Sequence, residues 1–216
     1  MLLVKPSYEI LTPIDGVEML RRIEAAGRTC YKSEEKITQD SAIEFVRKVI
    51  KRGHLSVIEH ESLSVRFVID RGVSHELVRH RLCAFSQEST RYCDYGGDDV
   101  TFVIPPGMDK LKPGRYQRGD PLLDLDSCVG DWANALIYAE ESYRKLRRAG
   151  WPPQDARAVL PNALKTEIVT TANLREWRHI FDLRCASAAH PQIREVMIPL
   201  RDELRQLIPV VFDAEV

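Results

Sequence analysis

Three basic side chains stand together at Arg79-His80-Arg81, and a polar run follows through Ser86, Gln87, Glu88, Ser89, Thr90 and Arg91. Guanidinium groups, hydroxyls and an amide at this spacing can jointly grip a phosphate and the edge of a nucleobase. The same run also fits a solvated helix end whose cations complement the macrodipole. Val78, Leu82 and Phe85 recur at i, i+4 and i+7, a stripe that predicts a helix over 73–85 packed on the core. Arg184 is the second candidate. Leu174, Trp177, Phe181 and Arg184 fall on one helix face, so a guanidinium ends an apolar stripe. There its planar fork suits a carboxylate, a phosphate or paired carbonyls, unless it snorkels at the helix end. His54 and His60 flank a turn without H-E-x-x-H spacing or an obvious third ligand, so no metal is expected. Ser89 lacks a G-x-S-x-G elbow, and Cys30, Cys83 and Cys185 lack the pattern of an activated nucleophile.

The elements that must position these groups are readable in part. Leu63, Val65, Phe67 and Ile69 alternate with polar residues and predict a strand, and 100–104 predicts another, stopped by Pro105-Pro106. A short strand is expected around Leu2–Lys5. Helices are predicted over 16–26, 41–52 (with Ile43, Val46, Val49 and Ile50 inward), 123–148, 174–184 and 191–207. Strands and helices do not alternate regularly, which favours an α+β class over a doubly wound sheet. The stretch 105–121, with four prolines and three glycines, reads as a long loop. It could also be a domain boundary, but each half alone looks too thin to hold a core.

Composition narrows the function classes. The chain has 216 residues, 44% hydrophobic and 29% charged, with 31 basic residues against 32 acidic ones. One well-cored domain fits that length. The near-neutral balance, and the lack of an aromatic RNA-binding strand, disfavour a nucleic-acid binding module. No apolar run approaches a membrane span and Pro6 interrupts any signal-like start, while five scattered cysteines suit a reducing compartment. A cytoplasmic location is the expectation.

Arg79-His80-Arg81, seven residues and Ser89 together reproduce R-H-R-x7-S, continued by Thr90-Arg91-Tyr92. This resembles the signature of the flavin-dependent thymidylate synthases. The turn from Arg52-Gly53-His54 to Glu59-His60, the block Arg157-Ala158-Val159-Leu160-Pro161, then Asn173-Leu174-Arg175 and Leu183-Arg184 are similar to further family blocks in order and spacing. The likeness runs from about residue 28 to residue 194.

The resemblance implies a single domain over 1–216, with helices packed on a small, mostly antiparallel sheet unlike the Rossmann type. It implies a homotetramer whose active sites are shared between subunits, acting neither on nucleic acid nor at a membrane. The implied reaction is reductive methylation of dUMP to dTMP, with 5,10-methylenetetrahydrofolate supplying carbon, NADPH the electrons and FAD relaying hydride. By resemblance FAD would meet Ser56, Arg79, His80, Arg81, Gln87, Asn173, Leu174, Arg175 and His179, with His54 on the folate side. The nucleotide would meet Glu76, Leu77, Val78, Arg79, Gln87, Glu88, Ser89, Thr90, Arg91 and Arg157. Arg184 would be catalytic, meeting uracil near N3 and O2 to stabilise the ionised base and activate C5. Glu76, Gln87 and His179 stand where the family commonly has glutamine, glutamate and asparagine. On the predicted helix Glu76 and His80 would be an i, i+4 pair. A flavoprotein that only oxidises NADPH is the alternative that Gln87 and His179 leave open.

Overall fold

The computed structural model describes residues 1–108, 110–124 and 127–213. In chain order the elements are β1 (Leu2–Val4), β2 (Ser7–Ile10), α1 (Gly16–Thr29), α2 (Ser41–Lys51), β3 (Ser62–Asp70), α3 (Arg71–Leu77) and β4 (Ala84–Gln87). Then follow β5 (Thr101–Val103), β6 (Gly114–Arg115), α4 (Pro121–Asp124), α5 (Ser127–Arg148) and α6 (Pro153–Ala156). The chain closes with β7 (Lys165–Asn173), α7 (Leu174–Arg184) and α8 (Pro191–Leu207). One sheet has the order β2-β3-β7-β4 and the other β5-β1-β6. The α+β class is as expected, although β1 runs parallel to β5 and only its β6 pairing is antiparallel.

Two compact units are built from interleaved segments. The first takes residues 1–7, 67–79 and 86–168, and the second 8–66, 80–85 and 169–216, the last three residues lying outside those described. In the first, Leu3, Phe102, Leu136, Tyr143 and Leu164 belong to one buried cluster. In the second, Ile23, Val46, Leu63, Val65, Trp177, Phe181 and Leu200 are buried. Trp177 stacks on Phe181 at 5.7 Å, and its indole N–H donates to the Leu63 carbonyl at 3.2 Å.

Local chemistry sets the ends of the elements that matter for the site. Asp70 caps α3 by accepting from the Val73 N–H at 2.7 Å, and Asn173 caps α7 through the Glu176 N–H at 2.8 Å. Gly53, at φ +73°, lets α2 end in a Schellman turn: its N–H reaches the Ile50 carbonyl and that of His54 reaches Val49.

Several expectations are corrected. The helix predicted over 73–85 ends at Leu77; Arg79, His80 and Arg81 lie in a turn, and Ala84–Gln87 is strand β4. Its proposed apolar stripe is absent, since Val78 is 39% and Leu82 77% exposed. Sheet pairing overrides the helical period here, and the helical i, i+4 relation between Glu76 and His80 does not exist. Ile43 faces solvent while Ala42, Val46, Val49 and Ile50 turn inward. The stretch 105–121 is not featureless: β6 pairs with β1, and Leu111 and Tyr116 are buried in the first unit's core. Residue 109 in that stretch, and residues 125 and 126 within the helix expected over 123–148, lie outside the described residues. Strands β2 and β7 were not expected at all. Among the described residues no helix is long and apolar enough to cross a membrane.

Candidate active site

The second unit gathers three of the anticipated residues. The Arg184 Nε–H donates to His80 Nε2 at 3.0 Å, and the His80 and His179 rings meet edge to face at 5.8 Å. On the other side His80 Nδ1 lies 3.5 Å from a Glu176 carboxylate oxygen. Elements of the second unit fix all four residues: His80 starts the turn before β4, closed by the Cys83 N–H on the His80 carbonyl, and the others project from α7. His80 and Glu176 are buried, Arg184 is half-buried and His179 is exposed. Arg184 thus ends its apolar stripe with a built partner rather than snorkelling freely.

Burial, then the neighbouring Arg184 and His179, hold the His80 imidazole down from 6.5 to about 4. Its protonation in the folded chain would set a second cation against Arg184. An unfolded chain takes up that proton near pH 6.5, the folded one only near pH 4. The stability linked to His80 is therefore complete above pH 6.5 and is lost as pH falls towards 4, by about 3 kcal/mol. Urea unfolding of flavin-free protein at about pH 7 and about pH 4.5 measures this loss, which His80→Gln should shrink. An equal acid loss in that variant would assign the effect elsewhere. Burial and Glu176 push the nearby Cys83 thiol up to about 12, so it is no nucleophile at neutral pH.

The donor atoms of His80, Glu176 and His179 lie within 4.8 Å of one another, a spacing a metal cation could span. His80 Nε2 already accepts from a guanidinium, whose charge opposes a metal ion at this place.

The first unit holds another polar group. Glu88 accepts from the Tyr95 hydroxyl at 2.6 Å, from Lys165 Nζ at 3.0 Å and from the Glu167 N–H at 3.2 Å. Lys165 also donates to Glu167 at 2.9 Å. Burial alone would lower the Lys165 ammonium, but the hydrogen bonds to Glu167 and Glu88 outweigh it and raise it. The Gln87 amide donates to Ser74 Oγ at 3.0 Å and Thr166 Oγ1 at 3.2 Å. Arg157 is exposed and donates to the buried Thr90 hydroxyl at 2.8 Å, joining two anticipated nucleotide residues.

Other anticipated residues are placed singly. Arg79, Arg81 and Arg91 are exposed and Ser89 is half-buried, its hydroxyl accepting from the Arg91 N–H. Glu76 is half-buried at the end of α3 and Val78 caps that helix. Leu77 and Leu174 are fully buried, backbone included, so neither presents a group to a ligand. Arg175 pairs with Glu59 at 2.6 Å.

His54 and Ser56 line a cavity of about 960 Å³ within the second unit, together with Lys32, Lys48, Arg52 and Phe45. Arg28, Lys32, Lys36, Lys48 and Arg52 outnumber Glu35 and Glu44 in this lining, so with its hydroxyls and the Phe45 ring it fits an anionic ligand with flat rings, as a flavin dinucleotide is.

Glu176, Lys165 and Tyr95 were not anticipated. Burial alternates along β7, with Thr166, Ile168, Thr170 and Ala172 inward, but its polar sequence gives no signal for Lys165. Asn173-x-x-Glu176, a helix-start pattern, was the signal for Glu176.

Comparison with known proteins places the chain among relatives. A family profile described as "Thymidylate synthase complementing protein" matches residues 14–210. The flavin-dependent thymidylate synthase of Mycobacterium tuberculosis is 36% identical over 224 aligned positions, covering 97% of this chain and 84% of its own. That of Geobacter sulfurreducens is 34% identical over 194, covering 87% and 78%. In fold, the chain resembles the UMP/dUMP methylase PolB of Streptomyces cacaoi solved with 5-Br dUMP, with a TM-score of 0.77 at 24% identity over 98% of this chain and 95% of that one. With the profile spanning nearly the whole chain and these identities sustained along it, the protein belongs to the flavin-dependent thymidylate synthase family.

Proposed function

We propose that this enzyme converts dUMP to dTMP, with methylenetetrahydrofolate as carbon donor, NADPH as reductant and FAD as the bound flavin. The observation that carries this reading is the half-buried guanidinium of Arg184 held against a neutral imidazole in a chain of this family. The balance is simple: hydrogen at C5 of the uracil is replaced by a methyl group, the donor's methylene supplying carbon and NADPH two electrons. FAD, when bound, supplies the hydride relay.

The chain's own residues bind and polarise. Arg184 donates to the N3–O2 edge of uracil, where negative charge grows as C5 becomes nucleophilic. Arg79, Arg91 and Arg157 supply positive charge for the nucleotide phosphate, with Ser89 and Thr90 giving hydroxyls. Glu88 is already committed to Lys165, Tyr95 and Glu167, so its part is to fix the loop rather than to face an anionic substrate. Gln87 likewise braces β4 against Ser74 and Thr166. Arg81, Asn173, Arg175 and His179 serve the flavin, while buried His80 is taken up by Arg184, and the cavity at His54 and Ser56 takes flavin and folate groups. The chain acts as one functional domain, in a cytoplasmic homotetramer with shared active sites.

The test is dTMP formation by purified protein given dUMP, methylenetetrahydrofolate, NADPH and FAD, with each omitted in turn. Product that disappears at every single omission supports the reading. NADPH consumption without dUMP or folate, and no dTMP, would instead mark an NADPH oxidase.

A further inference from the structure

Glu176 and Arg184 stand about two helical turns apart on α7, too far for the helix itself to link their side chains. The imidazole of His80 bridges them. Its Nε2 accepts the Arg184 Nε–H at 3.0 Å and must carry a lone pair, which puts the ring proton on Nδ1. That nitrogen is the one lying 3.5 Å from Glu176 Oε1. The Glu176 carboxylate and the ring are buried, 6% and 4% exposed, so water does not substitute readily for either. The opposite tautomer would turn an N–H against the Arg184 N–H.

A neutral ring holds Arg184 Nε through a single lone pair. Burial and the adjacent Arg184 and His179 keep the ring neutral through the physiological range.

We propose that Glu176 is a positioning residue for the reaction: its carboxylate, 3.5 Å from His80 Nδ1, favours the tautomer with the proton on that nitrogen, which leaves Nε2 to hold Arg184 Nε and so orients the guanidinium toward the substrate. This rests on reading Arg184 as the group that meets uracil.

The experiment uses Glu176→Gln in the FAD-loaded enzyme. Glutamine keeps the size and the helix but offers an N–H as readily as a carbonyl, which removes the tautomer bias. The expected result is a fall in kcat on the order of tenfold, with the KM for dUMP, the flavin content and the melting temperature near wild type. ¹⁵N spectra of histidine-labelled protein should show His80 as the Nδ1–H form in the wild type and as a mixture in the variant. In an Arg184→Lys background, which lacks the Nε–H, Glu176→Gln should cost nothing further, a non-additivity diagnostic of action through Arg184. Wild-type kcat in Glu176→Gln, additive loss in the lysine background, or an Nε2–H ring in the wild type would each overturn the proposal. Full activity of Arg184→Lys would overturn the uracil-facing reading of Arg184 instead, and the ring spectra alone would then judge Glu176.

Discussion

Arg184→Ala is expected to lose dTMP formation, with turnover down by at least about 10²–10³-fold, while FAD remains bound. The size follows from what the group does. A guanidinium preset by His80 needs no reorganisation when charge grows on the uracil ring, and a half-buried place keeps that charge interaction from being screened as it would be in water. Alanine removes the donor and leaves the His80 Nε2 lone pair without this partner. The flavin contacts expected of Arg79, Arg81, Asn173 and Arg175 are untouched, so bound flavin, read by absorbance after gel filtration, separates lost chemistry from lost cofactor. Turnover near wild type in this variant would remove Arg184 from the mechanism.

The second large effect is on stability. Trp177→Ala should cost about 3–5 kcal/mol, a large part of the 5–15 kcal/mol that holds a domain of this kind folded. Trp177 is fully buried, stacked on Phe181, which in turn meets Phe212 edge-on at 5.6 Å. Alanine would leave a cavity there and orphan the Leu63 carbonyl that the indole now satisfies. Trp177→Phe should lose less, about 1–3 kcal/mol, because it preserves the stack and forfeits the hydrogen bond and part of the volume. Urea midpoints at constant slope measure both, and equal losses in the two variants would show that packing is not what the indole contributes.

What could be read from the sequence depended on whether the signal was local. Helices α7 and α8 are legible to the residue, since Asn173 caps one and His190-Pro191 starts the other. The end of α3 is not legible. Helical spacing continues past Leu77, and only pairing within a sheet makes 84–87 a strand. Strand β7 mixes Lys165, Glu167 and Thr171 with buried threonines, so polarity hides the alternation that its burial displays. The same division holds in the site. Arg184 and His80 stand out because a cation ends an apolar stripe and a histidine sits between arginines. Glu176 and Lys165 look like ordinary surface charges, and their roles exist only through partners 96 and 77 positions away in the chain, His80 and Glu88.

The interleaving of the two units also dictates an order of assembly. The first unit has all its residues only once position 168 has been synthesised, and the second opens at residue 8 yet waits for the 169–216 segment. Strands β3 and β7 are neighbours in one sheet, although about 100 residues separate them. At translation speeds of about 5–20 residues per second, β3 leaves the ribosome roughly 5–20 s before the strand that pairs with it. During that interval it is an apolar, alternating strand with an open edge, the kind of segment that chaperones capture and neighbouring chains can join. No single cut separates the units intact, so the nascent chain has no finished N-terminal half to shelter the rest.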